Sequence, residues 1–265
     1  VACGGSGDSI MLIRSDLSST KLKIAGLVPS VLDFATAAKT ESPSGTQLIT
    51  GTISGGLCRI RLIAGASYCS GALLQQSPSG RAEVKALAVN PKKSQQVAVA
   101  DANGLVMFFD LDVQRFLDVG RQFRAPVTSM TWDPSGLLLA LGLESGYLRC
   151  LIVGELDGAR MSELDMGGIV PHDPTAITAL CFSPGAGSLL AVGYRDGRVQ
   201  VLQVQRPSAG IANGAPYQFV SLKMLQGNAS AVLALQFAKD GLTLASNARD
   251  SAVLCWDVET GKTVP

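Results

Sequence analysis

His172, in "VPHDPTAI", is the single histidine among 265 residues. A general base there would need a nucleophile or carboxylate held beside it. No Ser/His/Asp set or carboxylate pair can be built around it with any specificity, and it reads as a structural or solvent-exposed residue. Gly261-Lys262-Thr263 has the ending of a phosphate loop, but that motif needs a glycine five residues before Gly261, where Trp256 stands. A strand-connecting turn explains it. "CGGSGDS" lacks both the lysine and the following helix of such a loop, so its glycine run reads as a flexible loop. The six cysteines (Cys3, Cys58, Cys69, Cys150, Cys181 and Cys255) form no Cys-x-x-Cys pair and, with one histidine, no zinc set. Cys150, Cys181 and Cys255 lie inside apolar runs, as small core thiols of a reducing compartment do. Asn228-Ala229-Ser230 is a glycosylation sequon by pattern only. These residues predict no enzyme active site, no metal site and no cofactor.

The elements that carry these residues must be sought in the patterning. At 47% hydrophobic the chain can bury a substantial core, and its net charge is only +1, with no acidic or basic tail. That gives no electrostatic case for binding nucleic acid or an anionic membrane. The longest uncharged stretch, Leu62 to Gly80, is too polar for a membrane span. The first residues lack the basic and apolar parts of a signal peptide, and the chain reads as opening in mid-fold.

Self-similarity is clear. "VKALAVNP", "VTSMTWDP", "ITALCFSP" and "VLALQFAKDG" each place apolar residues at positions one, four and six, then a turn: Val84, Leu87, Val89; Val127, Met130, Trp132; Ile177, Leu180, Phe182; Val232, Leu235, Phe237. A second run follows each of them, "VAVA", "LALG", "LAVG" and "LASN". Four residues after each end stands Gly104, Gly146, Gly197 or Ser251, and then a third apolar run begins. A weaker copy upstream opens on Val31, Phe34 and Thr36, with "LITG" and Gly55 at matching offsets. Runs of strand length rich in Val, Leu and Ala, with Pro or Gly every eight to twelve residues, argue for antiparallel strands over helix.

This pattern resembles the WD-repeat β-propellers, which implies an all-β fold. The expected blades are 28–83, 84–126, 127–176, 177–231 and 232–265, with 1–27 as the third and fourth strands of an earlier blade. All belong to one propeller, with the last blade's fourth strand incomplete. Five full blades plus parts of others read as an incomplete seven-bladed ring, a fragment of a longer protein. In that family Asp, Ser and Trp join a His in a buried hydrogen-bonded set. Asp250, Ser246 and Trp256 match, and Asn228 takes the His position.

The order of units along nearly the whole chain is similar to the second propeller of the echinoderm microtubule-associated protein-like family. The resemblance runs through "DSIMLIRSDLSSTKLKIAG", "TQLITGTISGGLCRIRL" and "LASNARDSAVLCWDVETGK". "GNAS" departs from the family's Gly-His. The resemblance implies a non-enzymatic cytoskeletal scaffold in the cytoplasm, on microtubules or an axoneme, inside a larger assembly. Its partners would be tubulin or microtubule-associated proteins, with no nucleic acid and no membrane. A general WD-repeat adaptor unrelated to microtubules is the alternative. Loops held by a rigid scaffold usually carry binding. The expected partner-binding turns are therefore Asp101, Glu144, Arg195, Asp196 and Arg249 between second and third strands, Lys92 and Lys93 between first and second, and the basic residues Arg121 and Arg124.

Overall fold

The computed structural model describes residues 2–4, 9–13, 19–23, 28–36, 46–61, 71–153, 161–164, 166, 174–205 and 217–264. They divide into two compact units, Val1–Val127 and Thr128–Pro265. The first holds a three-stranded sheet, β1 (Ala2–Gly4), β2 (Ser9–Ile13) and β3 (Ser19–Lys23), in that order. β1 falls on residues the sequence assigns to a loop. Two four-stranded sheets follow: β4 (Pro29–Thr36), β5 (Thr46–Thr52), β6 (Gly56–Arg61) and β7 (Gly71–Gln76), then β8 (Val84–Val89), β9 (Gln96–Asp101), β10 (Leu105–Asp110) and β11 (Arg115–Gln122).

The second unit has three such sheets. They are β12 (Val127–Trp132), β13 (Leu138–Leu143), β14 (Leu148–Val153) and β15 (Met161–Leu164); β16 (Ile177–Phe182), β17 (Leu189–Tyr194), β18 (Val199–Gln205) and β19 (Gln218–Leu225); β20 (Val232–Phe237), β21 (Thr243–Ala248), β22 (Val253–Asp257) and β23 (Thr263–Val264). Every sheet is an antiparallel meander of sequence neighbours, so each turn sits beside the strands it joins. Short polar side chains close these turns. Asp133 Oδ1 accepts the Leu137 and Leu138 amides at 3.0 and 2.8 Å, and Asn90 Oδ1 accepts those of Lys92 and Lys93 at 2.9 and 3.0 Å.

Pairing makes the sheets superimposable residue by residue. A bulge follows the first residue of the first strand: Val84 pairs with Asp101 and Ala86 with Ala100, as Ile177 does with Tyr194 and Ala179 with Gly193. The same step in β4 pairs Pro29 with Thr52 and Val31 with Gly51. Pro29, not Val31, is thus the counterpart of Val84, and the sequence alignment of this sheet slips by two residues. The strand carries two apolar combs, Val31-Phe34 and Leu32-Phe34, and the ladder register matches the second to Leu87 and Val89.

Successive four-stranded sheets within a unit pack face to face, and the same devices recur at the three joints between them. Gly51, Gly142 and Gly193 occupy equivalent positions, and a Cβ on any of them would run into the first residue of the next sheet: Val84, Ile177 or Val232. Each glycine is a notch for a branched side chain. Beside the notch, the Ser30 hydroxyl donates to the Val84 carbonyl at 2.6 Å, Thr178 to Val232 at 2.5 Å, and Thr128 to Ile177. Apolar side chains fill the remainder. Ala179, Ala191, Val199, Val201 and Leu225 meet Val232, Leu235, Phe237, Leu244, Trp256 and Val258. In the first unit Ile49 and Leu57 meet Val84, Leu87, Val97, Val99, Met107 and Phe109. Because no sheet covers both of its own faces, stability lies largely in these joints.

Candidate interaction site

Trp256 is the largest fully buried side chain and anchors the sheet β20–β23. Its Nε1–H donates to Ser246 Oγ at 2.9 Å; the Ser246 hydroxyl donates to Asn228 Oδ1 at 3.1 Å; Asn228 Nδ2 donates to the Gly197 carbonyl at 3.2 Å. Asparagine works in the histidine position because its amide offers an acceptor on one side and a donor on the other. The line runs from the last sheet back to the turn of the preceding one, so it fixes the two sheets together. Asp250 stands apart from it. The side chain is exposed, its Oδ1 accepts the Ala252 amide at 3.1 Å, and its own amide donates to Ser230 Oγ at 3.0 Å.

Three successive turns of the second unit carry the charges singled out in the sequence. Glu144 lies in the β13–β14 turn, Arg195 and Asp196 in the β17–β18 turn, and Arg249 in the β21–β22 turn, all exposed. Arg195 Nη2 reaches back to Glu144 Oε1 at 3.3 Å, linking two neighbouring turns. Within one turn Arg198 Nε meets Asp196 Oδ2 at 2.5 Å, and its guanidinium lies 5.8 Å from the Tyr194 ring centre. Arg149 sits likewise 5.7 Å from Tyr147 and 3.5 Å from Glu163. Exposed pairs of this kind each contribute only about 0–1 kcal/mol. They shape a surface rather than hold the fold. Arg and Tyr side chains, half-ordered by such stacking, are the types that dominate protein interfaces. Arg149, Arg198, Tyr147 and Tyr194 were missed in the sequence. Tyr147 and Arg198 are the last residues of the same turns, Arg149 is on β14, and Tyr194 ends β17 fully buried beneath the Arg198 guanidinium; the stacking that groups them leaves no mark in the apolar pattern.

The other expected residues are dispersed. Asp101 is fully buried, which removes it from any surface for a partner. It is the last residue of β9, equivalent to Thr52, Leu143, Tyr194 and Ala248, and the turn begins one residue later. Its Oδ1 accepts the Asn103 and Leu105 amides at 2.9 and 3.0 Å, as Thr52 Oγ1 accepts that of Gly56 at 2.8 Å. Lys92 and Lys93 lie in the β8–β9 turn, at the opposite end of their sheet, with Lys92 exposed and Lys93 half-buried. Arg121 is exposed on β11 near the β9–β10 turn, and exposed Arg124 follows it. His172 lies outside the described residues, as do Cys69 and the side chain of Cys3.

Burial dominates the remaining chemistry. It pushes the Cys58 thiol up to about 11 and raises those of Cys150 and Cys181. Such thiols stay protonated and unreactive near neutral pH. Burial likewise raises the Tyr194 phenol, opposed by the Arg198 charge, while the phenol donates to Gln200 Oε1 at 2.7 Å. Among the described residues no group of three or more His, Cys, Asp or Glu is placed to hold a metal ion.

Comparison with known proteins agrees with this geometry. The model of the WD domain, G-beta repeat, matches residues 219–257. That span takes in β19 of one sheet and β20–β22 of the next, and it contains Asn228, Ser246, Asp250 and Trp256. The chain is similar to the 77 kDa echinoderm microtubule-associated protein of Lytechinus variegatus, 26% identical over 186 residues, which is 69% of this chain and 24% of that protein. It is also similar to Transducin beta-like protein 3 of Rattus norvegicus, 29% identical over 145 residues, and of Bos taurus, 30% identical over 146 residues, each covering 53% of this chain and 16% of the relative. The chain therefore spans between a sixth and a quarter of the length of these relatives. The fold is all-β, its four-stranded meanders are WD-repeat β-propeller blades, and a WD repeat of this type is a protein-interaction module.

Proposed function

We propose that this WD-repeat chain is a non-enzymatic cytoskeletal scaffold that docks on microtubules, or on proteins bound to them, through its second-to-third strand turns. One observation carries the reading: of the relatives described, the echinoderm microtubule-associated protein aligns over the largest share of the chain, 69%. The contact surface would be the run of exposed turns with Glu144, Arg195, Asp196 and Arg249, flanked by Tyr147, Arg149 and Arg198. Its four arginines are offset by Glu144, Asp196, the adjacent Asp250 and the Arg149 partner Glu163, and the whole chain carries only +1. Docking would thus rest on shape and on individual Arg and Tyr contacts, not on bulk attraction to acidic tubulin. The place of action would be the cytoplasm, on the microtubule cytoskeleton.

A second reading, a general WD-repeat adaptor without a microtubule link, is favoured by the two Transducin beta-like protein 3 matches. Co-sedimentation with taxol-stabilised microtubules at low and high salt separates the two. Pelleting of this chain that persists in salt, and that Arg195→Ala with Arg249→Ala reduces, is the expected result. A chain that stays in the supernatant at both salts overturns the microtubule reading and leaves the adaptor.

A further inference from the structure

β19 closes its sheet on the outside and pairs only with β18. Eight residues at about 3.3 Å each make an edge roughly 26 Å long. Among the described residues, no backbone hydrogen bond of 218–225 is made outside the β18 ladder. Proteins blunt such edges with short strands, charges or covers. The other outer strands of the four-stranded sheets follow that rule. β23 has two residues and β15 four. β11 has eight but exposes Arg115, Asp118 and Arg121, and its Phe116 amide is capped by Gln75 Oε1 at 3.0 Å. β7 has only six and is bent by a bulge at Leu74, although Leu73 is 53% exposed.

β19 departs from this rule. Its one charge, Lys223, is turned to the Glu259 carbonyl. Val220, Leu222 and Met224 are 42%, 46% and 37% exposed. Leu222 is the extra residue of a bulge, lacking a partner across the ladder, and that bulge is the edge's single protective device.

We propose that the outer edge of β19 pairs with the same edge of a second copy of this chain, antiparallel about a twofold axis. A row of backbone donors and acceptors is matched along its length, in place of water, by another extended strand, and the flanking side chains favour one that is long, apolar and nearly uncharged. β19 is the one outer strand of these sheets that meets its own requirement. A twofold interface is isologous, so a self-complementary strand suits it. Two copies at +1 each meet without appreciable repulsion. A single strand pair buries less than a standard interface, so the dissociation constant is expected on the order of tens of micromolar.

The test is sedimentation velocity of the full chain over a concentration series spanning that range, with hydrogen exchange read at low and high concentration. The expected result is a monomer–dimer equilibrium in which the amides of 219–224 exchange at least tenfold more slowly in the dimer. Leu222→Lys, a change at an exposed site that leaves the fold intact, weakens association at least tenfold. A monomer throughout overturns the proposal. So does a dimer that ignores Leu222→Lys, or one that protects Cys255 from maleimide while β19 exchanges unchanged, since that dimer would use the open side of β20–β23. These outcomes are independent of whether the chain binds microtubules.

Discussion

The sheets β16–β19 and β20–β23 are built on one plan, yet the sides they turn toward the next position differ at every important residue. On the first, Thr178 clasps the following sheet, Gly193 receives Val232, Gly197 lies beneath the Asn228 and Ser230 carbonyls, and Val199 is fully buried. On the second the equivalents are Leu233, Asn247, Ser251 and Val253, and Val253 is 62% exposed. The opposite sides agree closely, with Val232, Leu244 and Trp256 as deeply buried as Ile177, Leu190 and Leu202. A joint is therefore specified by a small set of residues on the donor side, a hydroxyl, a notch and a left-handed glycine. A sheet can keep its receiving side while losing all three.

The largest effect separating the two sides is expected at the notch. Gly193→Val places a branched side chain where a Cβ would already be 2.7 Å from Val232 Cγ1. Overpacking of this kind costs about 2–3 kcal/mol. Asn247→Val, at the exposed equivalent, should change stability by no more than about 0.5 kcal/mol. Urea unfolding midpoints at constant slope measure both. Equal losses would mean that Asn247 also faces a packed neighbour and would dissolve the distinction.

The clasp should give a smaller difference. Thr178→Val keeps the shape and removes the donor to the Val232 and Gly193 carbonyls, at a cost of about 1 kcal/mol. Leu233→Thr, which writes the clasp into the exposed side, should be neutral within about 0.5 kcal/mol. If Leu233→Thr destabilised more than Thr178→Val, the leucine would have to be packed against something, and the contrast would be lost.

How far the sequence discloses these joints depends on the range of each interaction. The turns and the meander are legible because Pro91, Pro134, Pro184 and the left-handed glycines act locally. The Trp256–Ser246–Asn228 line is legible in part because a known pattern marks its positions, though Asp250 turns outward to close its own turn. The Thr178 clasp is not legible, since its acceptor lies 54 residues away and a threonine near a strand start has many other uses. Asp101 misleads for a different reason. An acid two residues before Asn103-Gly104 suggests an exposed turn, but Asp101 still pairs with Val84 at the end of the ladder, where it does the work of Thr52. The β4 register fails by two residues because a bulge consumes a residue without leaving a mark in the apolar pattern.

The smallest effect sharpens the comparison most, because it concerns backbone alone. Gly197 has φ of 93°, and its lack of a side chain matters twice: the conformation is left-handed, and an added Cβ would be 2.9 Å from the Ser230 carbonyl. Ser251 adopts φ of 67° at the equivalent turn and carries a Cβ there. A left-handed conformation costs a non-glycine residue about 1 kcal/mol, and glycine's greater freedom in the unfolded chain offsets roughly half of that. Ser251→Gly should therefore stabilise the chain by a few tenths of a kcal/mol, read as a small rise in the urea midpoint. A clear loss instead would show that the Ser251 side chain makes a contact that the turn depends on. The serine would then be a specific feature of the open side, not merely a glycine position released from its packing constraint.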